Sequence, residues 1–349
     1  MKICMIVPNP GVKGGIASVV NGYRGSLLEQ QHEIVYVESY RDGTKWQKLW
    51  KAFSGYVSFL WQILSNRPDV VHIHSSFGPS FYRKIPFIYL SCFYRIPVVN
   101  HIHGAEFDSF YQNASPGKKR QVQKVYGKCS RLIVLSQEWK TLIAQIVPED
   151  RIDVLENYCI LPDEAVLRNK RRGQLLFLGE LGERKGCFLL PDILLKVREI
   201  FPDCRLIMAG DGQVEKVKAA FEAKGLMPYV DFPGWVGAGE KERLLRESSI
   251  FIFPTNYEGM PMAVLEAMSY GLGIVTTSVG GIPRLIVPEK TGFLEAPGDV
   301  EGMAADVTEF LQKETLRSEL GMQARKLAEE KYSLEGHLRQ LVKIYKKVI

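Results

Sequence analysis

The sequence is poor in the features that build disulfide frameworks and zinc sites. Its six cysteines never occur as a C-x-x-C pair. A disulfide framework or a zinc site needs tighter clustering, so we expect reduced, mostly buried thiols of a cytosolic protein. The cysteines are Cys4, Cys92, Cys129, Cys159, Cys187 and Cys204.

Long apolar runs are also missing. The longest apolar stretches, around Phe53–Leu64 and Ile85–Tyr94, are shorter than the roughly 20 residues that span a bilayer. The N-terminal residues carry only a short apolar stretch before Pro8, whereas a signal peptide needs a longer one and a cleavage site. We therefore expect a cytoplasmic protein that at most associates with the inner face of a membrane.

The composition is that of a folded protein with two domains. The 349 residues are 46% hydrophobic and 24% charged, which excludes disordered and fibrous proteins. At roughly 100–200 residues per domain, this length suffices for two cores. Residues 1–172 hold 23 Lys/Arg against 14 Asp/Glu, and residues 173–349 hold 22 against 25. A basic N-terminal half could attract an anionic acceptor, a membrane surface or nucleic acid, although an ordinary solvated surface fits the same charge.

Short apolar runs alternate with helix-length segments along the chain, which indicates crossover units and parallel sheets. In the first half we predict strands at Lys2–Val7, Ile34–Val37, Val70–Ile73, Val98–His101, Leu132–Leu135 and Ile152–Val154. The helices predicted there are Ile16–Gln30, Trp46–Ser65, Ser80–Tyr94, Lys118–Lys128 and Gln137–Ile146. In the second half we predict strands at Leu175–Leu178, Cys204–Met208, Val230–Phe232, Ile250–Phe253 and Gly273–Val275. Helices are predicted from about Cys187, Gln213, Glu240 and Pro261, with a wholly helical stretch at Val300–Ile349.

Residues 156–173 interrupt this alternation with Asn157, Pro162 and the basic run Arg168–Arg172. We place a linker there, between a domain at residues 1–165 and a second domain at residues 172–330. The predicted fold is α/β, with two doubly wound, Rossmann-like domains facing across a cleft. In such sheets the ligand binds outside the carboxyl ends of the strands.

The strongest local signal is the segment Pro254–Met268, with the sequence PTNYEGMPMAVLEAM. A predicted strand ends where it begins, and Pro261 suits the first position of a helix, where a missing N–H costs nothing. The backbone amides of Gly259–Met262 could then bind phosphate or sugar oxygens. Glu258 precedes the helix and Glu266 lies along it, and a carboxylate can accept hydrogen bonds from two vicinal hydroxyls. For these residues alone, a capped helix with two surface glutamates is the alternative.

This segment closely resembles the E-x7-E segment of the retaining glycosyltransferases of family 4, which have the GT-B fold. Other segments resemble further motifs of that family in the same order, so the resemblance covers nearly the whole chain. Each segment is a weak signal alone, and their order and spacing make the set specific. The segments are Asn9–Ile16, His101–Gly104, Gly179–Gly186, Ala209–Gly212, Gly280–Pro283 and Thr291–Leu294.

The resemblance implies how the Pro254–Met268 segment would bind a nucleotide-sugar donor. Glu258 would hold the hydroxyls of the donor sugar at the catalytic centre. Glu266 would bind the ribose hydroxyls of the nucleotide. The backbone around Glu258 would assist in donor binding, through Gly259, Met260, Pro261 and Met262.

The resemblance also implies roles outside this segment. Lys185 would neutralise the diphosphate as charge grows on it during bond breaking. His103 would lie beside the donor sugar from the opposite domain. Gly14 and Gly15 lack a Cβ, so the backbone there could approach the phosphate or the acceptor closely. For these glycines a plain strand-to-helix turn is the alternative, and for His103 an ordinary core or surface histidine.

Two residues depart from the family pattern. Glu180 stands in the lysine loop where the family usually has arginine, and a carboxylate cannot bind a diphosphate directly. Arg184, beside Lys185, could replace the missing cation in donor binding. Arg284 stands where the family often has an acidic residue, and we assign it no role.

The chain contains no D-x-D sequence, with which metal-dependent sugar transferases hold a divalent ion on the diphosphate. We therefore expect no metal and no other cofactor. Lys185, Arg184 and helix amides would neutralise the charge of the diphosphate instead. The resemblance implies a retaining transfer of a hexose-type sugar, with UDP as the expected nucleotide. The acceptor would be a glycan or a lipid-linked molecule in cell-surface polysaccharide synthesis, and the departing phosphate oxygen would take its proton.

Two helical segments bear on the acceptor. The apolar residues of Trp46–Leu64, three of them tryptophans, fall on one helical face close to three lysines. We favour a face that packs on the core over one that lies on a lipid surface. The stretch Phe81–Arg95 leaves the same alternatives. The last helix, Leu334–Ile349, has a spacing that fits the terminal GT-B helix, which crosses back to the N-terminal domain.

Other functions fit the sequence less well. A GT-B sugar-nucleotide epimerase shares the fold, but the E-x7-E segment argues against it. A nicotinamide dehydrogenase needs G-x-G-x-x-G after the first strand, which Gly11-x-x-Gly14-Gly15 does not match. The lysine loop opposes a non-catalytic sugar-binding protein of two domains. We expect a nucleotide-sugar donor, a glycan or lipid-linked acceptor, possible peripheral contact with a membrane, and no nucleic acid.

Overall fold

The computed structural model describes residues 1–104, 107–168 and 170–349. The chain forms two units, each with its own contacts. The first comprises Met1–Asn157 together with Leu334–Ile349, and the second comprises Tyr158–Ser333.

The first unit is built on a parallel sheet. Its described strands are β1 (Lys2–Pro8), β2 (Glu33–Tyr40), β3 (Val70–Ser75), β4 (Val98–Ile102), β5 (Arg131–Val134) and β6 (Ile152–Val154). They pair in the order β2-β1-β3-β4-β5-β6. The helices between them are α1 (Gly15–Asn21), α2 (Leu27–Gln31), α3 (Lys45–Ser65), α4 (Pro79–Phe93), α5 (Pro116–Tyr126) and α6 (Gln137–Ile143).

The second unit repeats this plan. Its described strands are β7 (Gln174–Leu178), β8 (Arg205–Ala209), β9 (Val230–Gly234), β10 (Ile250–Phe253), β11 (Gly273–Thr277) and β12 (Phe293–Glu295), in the order β12-β11-β10-β7-β8-β9. Its helices are α7 (Leu190–Ile200), α8 (Val214–Glu222), α9 (Ala238–Glu247), α10 (Met262–Ser269), α11 (Ile282–Leu285), α12 (Val300–Gln312) and α13 (Glu314–Lys331). The last helix, α14 (Leu334–Tyr345), belongs to the first unit.

Both faces of the first sheet are covered, which explains why its strands read as apolar runs without alternation. Every residue of β3 and β4 is buried. The connections from β2 to β3, from β3 to β4 and from β4 to β5 all step across the sheet in one direction. Since such crossovers are right-handed, α3, α4 and α5 cover the same face. On the other face α14 packs against β3, where Tyr345 Oη lies 2.6 Å from Nδ1 of His72.

The single helix predicted over Ile16–Gln30 is wrong, because the structure has two helices there. The first ends at Asn21 and the second begins at Leu27. Gly25 between them adopts a φ of 70°, a conformation that glycine reaches without strain. The side chain of Ser26 then accepts a hydrogen bond from the N–H of Leu28 and caps α2.

The other predicted elements are present, with ends that differ by a few residues. The helical stretch from Val300 onward is confirmed as α12, α13 and α14. Two short elements of the second unit, β12 and α11, were not predicted. They have three and four residues, too few for apolar spacing to indicate an element.

The predicted packing of the tryptophan face of α3 on the core is wrong. A different side of the helix meets the sheet, and it includes Phe59 and Gly55. A Cβ on Gly55 would lie only 2.7 Å from the carbonyl oxygen of Glu38, so the helix approaches β2 too closely for a larger residue. The apolar residues that define the predicted face point outward, among them Trp46 (81% exposed), Trp50 (71%) and Trp61 (67%).

The cysteines are all free thiols, and only Cys92 is not fully buried. Burial raises the pKa of the Cys187 thiol to about 11 and that of Cys204 to about 12. These thiols therefore stay protonated and pack as small apolar groups. Among the described residues, no helix is both long enough and apolar enough to cross a bilayer.

Candidate active site

Two loops of the second unit meet at one edge of its sheet. The lysine loop, Gly179–Gly186, follows β7, and the glutamate loop, Pro254–Pro261, follows the neighbouring strand β10. Asn256 joins them, because its N–H donates to the carbonyl of Arg184 (2.9 Å) and its side-chain amide donates to the carbonyl of Glu183 (2.8 Å). The carboxyl ends of parallel strands are where ligands bind in such sheets.

Lys185 and Glu258 form an ion pair between the two loops. The ammonium donates to Oε1 of Glu258, and the two side chains are only 13% and 9% exposed. Thr255 Oγ1 lies 3.4 Å from the same carboxylate oxygen. Burial lowers the pKa of Lys185, and the Glu258 carboxylate opposes this shift. The residues that the resemblance assigns to the diphosphate and to the donor sugar are thus in direct contact.

Arg184 lies beside this pair with a more exposed side chain. Its guanidinium is 3.3 Å from the Glu180 carboxylate and 3.7 Å from that of Glu258. It also lies 3.5 Å from the carbonyl of Tyr257. Glu180, which departs from the family pattern, is therefore an exposed partner of Arg184, whose guanidinium also contacts the glutamate loop.

Two glycines pack closely against the backbone of the glutamate loop. Gly280 adopts a φ of 53°, and a Cβ there would lie 1.8 Å from the carbonyl oxygen of Glu258. The N–H of Gly281 donates to the carbonyl of Gly259 at 2.7 Å, and a Cβ on Gly281 would lie 2.3 Å from that oxygen. Only glycine fits at either position. The sequence showed the Gly280–Pro283 segment but not what it packs against.

Glu266 lies on α10, which begins at Met262, one residue later than the sequence predicted. Pro261 is the N-cap residue, with the backbone extended at a φ of −73° and a ψ of 123°. The Glu266 side chain is 19% exposed and accepts a hydrogen bond from Nζ of Lys241 at 2.5 Å. Sequence reasoning missed Lys241, because it lies on α9 and only the tertiary fold brings it to Glu266.

His103, the proposed catalytic residue of the first unit, follows β4 and belongs to a histidine cluster. Its Nε2 lies 2.9 Å from Nδ1 of His74, and its ring stacks on His101 at 4.0 Å between centroids. His337 on α14 is linked to these rings through Tyr23, whose hydroxyl lies 2.7 Å from its Nε2 and whose ring lies 5.9 Å from that of His74 between centroids. Nδ1 of His337 donates to the carbonyl of Glu156 at 2.8 Å. The histidine cluster consists of His72, His74, His101, His103 and His337.

The histidine cluster is neutral near neutral pH. Burial lowers the pKa of His72 and His103 to about 3 and that of His337 to about 4. Ring nitrogens of His72, His74 and His101 lie within 4.8 Å of one another, a spacing that a metal could bridge. The rings of His72 and His101 stack within 9° of parallel. Burial favours the neutral form of both rings, and buried ring nitrogens of His72, His74 and His101 have no hydrogen-bond partner among the described residues.

Gly14 and Gly15 line a cavity of about 360 Å³ in the first unit. No Asp or Glu of the described residues lines it. Lys84 is 3% exposed and donates to Ser39 Oγ at 2.5 Å. Arg83 Nε is buried without a hydrogen-bond partner among the described residues. Burial lowers the pKa of Lys84 well below its ordinary value, which favours its neutral form. Lys13 and Arg83, which also line the cavity, remain as cations that suit it to an anion.

Two models of protein families match successive parts of the chain. "Glycosyltransferase Family 4" matches residues 15–158, and "Glycosyl transferases group 1" matches residues 163–327. The two matches leave only the ends and a few residues between them uncovered.

Curated relatives are glycosyltransferases as well. An uncharacterized glycosyltransferase of Methanocaldococcus jannaschii is 24% identical over 99% of this chain and 98% of its own length. The glycogen synthase of Mycobacterium tuberculosis is 30% identical over 70% of this chain, which spans 60% of that protein. The amylovoran biosynthesis glycosyltransferase AmsK of Erwinia amylovora is 26% identical over 72% of this chain and 64% of its own length.

Solved structures share the fold. Sucrose-phosphate synthase from Thermosynechococcus elongatus superposes with a TM-score of 0.81 at 14% identity, over 99% of this chain and 98% of that one. Anabaena HepE in complex with UDP superposes with a TM-score of 0.74 at 17% identity, over 99% of this chain and 100% of that one.

The folds of the two units and these matches define the class of the protein, which is a nucleotide-sugar glycosyltransferase with the GT-B fold. More particularly, the chain belongs to the glycosyltransferases of the family 4 type. The fold and the family expected from the sequence are thereby confirmed. The roles of individual site residues stay predictions.

Proposed function

We propose that the enzyme transfers a hexose-type sugar from a UDP-sugar to a glycan or lipid-linked acceptor, with retention of configuration and without a metal ion. The observation that carries this proposal is the buried pair of Lys185 and Glu258 at the meeting of two loops. A preorganised cation beside a preorganised carboxylate offers one group for a diphosphate and one for sugar hydroxyls.

Binding of the donor would break the ion pair between Lys185 and Glu258. A diphosphate that reached Lys185 would take over its ammonium and release the Glu258 carboxylate to accept hydrogen bonds from the sugar. Because Lys185 is largely buried, its charge acts on the leaving group with little screening by water. Negative charge develops on the diphosphate as the glycosidic bond breaks. The transition state would therefore be stabilised more than the ground state.

The pair of Lys241 and Glu266 supports a nucleotide site on the same sheet edge. Glu266 is partly buried and held by Lys241 at 2.5 Å, so its carboxylate has a fixed position. An ionised carboxylate with free lone pairs is suited to the two hydroxyls of a ribose. The proposed role of UDP is supported by Anabaena HepE, whose structure was determined with UDP.

Metal independence is proposed from the charges on the lysine loop. Lys185 and Arg184 supply two cations beside the glutamate loop, and the sequence has no D-x-D pair to hold an ion. His103 is proposed to lie beside the donor sugar. Because burial holds its pKa at about 3, it would act as a neutral hydrogen-bonding group and not as an acid.

The cavity of the first unit indicates an anionic acceptor. Lys13, Arg83 and the buried amine of Lys84 line it, together with Gly14, Gly15 and no carboxylate of the described residues. A phosphate of a lipid-linked acceptor has the charge that such a cavity favours. Such an acceptor would keep the enzyme at the inner face of a membrane. Synthesis of a cell-surface polysaccharide would use this chemistry, as the name of AmsK, an amylovoran biosynthesis enzyme, describes for that relative.

The purified enzyme should be incubated with UDP-, GDP- and ADP-sugars, and release of each nucleotide should be measured with and without EDTA. We expect release from a UDP-sugar at the same rate in EDTA, and product NMR should show the anomeric configuration of the donor. A rate lost in EDTA and restored by Mg²⁺ or Mn²⁺ would overturn metal independence. An inverted product would overturn the proposed stereochemistry.

Lys185→Ala should lower the rate by about 10²–10³, the usual cost of removing one preorganised charge donor at a developing anion. A matched control is Lys196→Ala, which breaks another Lys–Glu pair of the second unit, with Glu301 at 2.7 Å, but on the surface. That variant should keep the wild-type rate. Equal rates for both variants would contradict the assignment of the diphosphate to Lys185.

A further inference from the structure

The first unit exposes a broad apolar surface along α3. Its side chains follow one another at helical spacing, so they form one stripe on the solvent side of the helix. The four aromatic side chains alone, at 57–81% exposure, present roughly 400–700 Å², taking 150–250 Å² for a whole aromatic side chain. We call this surface the outer face of α3, and define it by Trp46, Trp50, Phe53, Val57, Trp61 and Leu64.

Among the residues of the first unit that the structure describes, none covers this surface. The helix already packs on β2 through its opposite side, where Gly55 allows close approach to Glu38. The largest apolar patch on a typical monomer is about 300–600 Å² in total and is often functional. Three exposed tryptophans on one helix therefore need a partner outside the unit.

The charge around the outer face of α3 identifies the kind of partner. The helix itself holds three lysines and no acidic residue. Along the sequence, residues 45–131 have 13 Lys/Arg and three Asp/Glu, of which Lys84 is buried, Lys51 pairs with Glu38 and Arg131 pairs with Asp153. Among the described residues, α4 and α5 on the same side of the sheet also lack acidic side chains. A basic surround with a Trp- and Leu-rich stripe is typical of helices that lie in the interface of an anionic membrane.

We propose that the outer face of α3 docks on a bilayer that contains anionic lipids, with the helix axis parallel to the membrane plane. The inference deepens the proposed function, on which it rests for the lipid-linked nature of the acceptor. The partner is the membrane surface, and α3 is the part of the enzyme that contacts it.

The position of the cavity for an anion agrees with this docking. Tyr40, at the end of β2, lines the cavity, and Nζ of Lys48 on α3 lies 5.7 Å from its ring. The first turn of α3 therefore contacts a residue of the cavity wall. An amphiphilic acceptor could place its phosphate in the cavity while its lipid stays in the bilayer.

Flotation with vesicles tests the proposal without donor or acceptor. Wild-type protein should float with vesicles of 70% phosphatidylcholine and 30% phosphatidylglycerol, and much less with phosphatidylcholine alone. Higher salt should weaken the binding, because it screens the basic surround. Absence of binding to the anionic vesicles at low salt would overturn the proposal.

Two variants with matched exposure locate the contact. Phe53 is 57% exposed on α3, and Ile200 is 56% exposed at the end of α7 in the second unit. Phe53→Glu should weaken vesicle binding at least tenfold, whereas Ile200→Glu should bind as wild type. Equal binding by Phe53→Glu and wild type would overturn the assignment to α3. Brominated lipids give a second readout, since three of the five tryptophans lie on this face and should be quenched.

Two further outcomes are separated by measurements in solution. If light scattering without lipid shows a dimer that Phe53→Glu converts to a monomer, the face joins two copies of the chain, and the membrane proposal is overturned. Nucleotide release from a UDP-sugar in the absence of vesicles should be the same for Phe53→Glu and wild type. Vesicle binding without any such release would overturn the proposed function but support this inference.

Discussion

Acidification should destabilise the first unit, because four neutral histidines are buried in it and a fifth, His103, stacks on them. In the unfolded chain a histidine has a pKa of about 6.5. In the folded protein burial lowers this to about 3 for His72 and His103 and to about 4 for His337, and it also lowers the pKa of His74 and His101 well below the ordinary value. The unfolded state therefore binds more protons than the folded state below pH 6.5. It follows that the contribution of these histidines to the free energy of unfolding is present above pH 6.5. It is lost progressively as the pH falls toward their pKa values in the folded protein.

The loss can be worked out from these pKa values. One pH unit is worth about 1.4 kcal/mol for each proton that only the unfolded state binds. Because a histidine of the unfolded chain is already half protonated at pH 6.5, each such group costs somewhat below about 2 kcal/mol between pH 6.5 and pH 5. His72, His103 and His337 together lower the free energy of unfolding by about 5 kcal/mol over this range. That is comparable to the whole stability of a typical domain, about 5–15 kcal/mol.

Urea unfolding followed by tryptophan fluorescence at pH 7.5 and pH 5 measures this effect. The signal reports the first unit, because four of the five tryptophans lie there and only Trp235 lies in the second unit. The second unit should respond in the opposite direction. Burial and Glu295 raise the pKa of Asp306 to about 7, so this group adds stability as the pH falls below 7. A free energy of unfolding at pH 5 within about 1 kcal/mol of its value at pH 7.5 would refute the reasoning.

His337→Gln provides the matched variant. Its amide can donate to the carbonyl of Glu156 and accept from Tyr23 Oη, as the imidazole does at 2.8 Å and 2.7 Å. At pH 8 the comparison with wild type measures any cost of the substitution itself. Between pH 6.5 and pH 5 the free energy of unfolding should fall by about 2 kcal/mol less for the variant than for wild type, because the unfolded variant binds one proton fewer. An unchanged pH dependence would show that His337 does not contribute.

Three further predictions concern the second unit. Glu266→Ala should weaken binding of free UDP at least tenfold, whereas Glu258→Ala should mainly lower turnover; equal affinity of wild type and Glu266→Ala for UDP in calorimetry would contradict the ribose role. Arg184→Ala should slow turnover at saturating donor more than Arg171→Ala, a surface control that pairs with Glu247. A rate for Arg184→Ala within about twofold of wild type, less than about 0.4 kcal/mol of barrier, would refute its role beside the diphosphate. Gly280→Ala should abolish most activity, because its Cβ would lie 1.8 Å from the carbonyl oxygen of Glu258, whereas Gly225→Ala, with a φ of 68° and open space, should keep it. Comparable activities of the two alanine variants in steady-state kinetics would show that the glutamate loop does not depend on Gly280.

Sequence patterns predicted the elements well where a single physical signal acts over many residues. The strands of both sheets are buried on two faces, so they appear as short apolar runs such as Ile250–Phe253. The ordered motifs then indicated the family and drew attention to Lys185 and Glu258, whereas only the structure showed that their loops follow neighbouring strands. The break between α1 and α2 was missed because one glycine with a positive φ, Gly25, decides it.

The partners of the site residues could not be predicted in the same way. Lys241 and Glu266 are 25 residues apart on different helices, and no local rule relates them. Arg184 was considered from the sequence as a replacement cation, but only the structure shows that Glu180 pairs with it. The role of Gly280 depends on a carbonyl of Glu258, 22 positions earlier in the sequence.

The sequence by itself determined the two parallel sheets, the order of the motifs and the amphipathic stripe on α3, because apolar spacing and chain order are local properties. It did not determine which side of α3 packs on the sheet. That was decided by the close approach at Gly55, which brings one side of the helix to β2 and leaves Trp50 in solvent. The histidine cluster likewise exists only because β3, β4 and α14 meet. Burial and charge belong to this arrangement in space, so only the tertiary structure could set the pKa of His103 and the ion pair of Lys185.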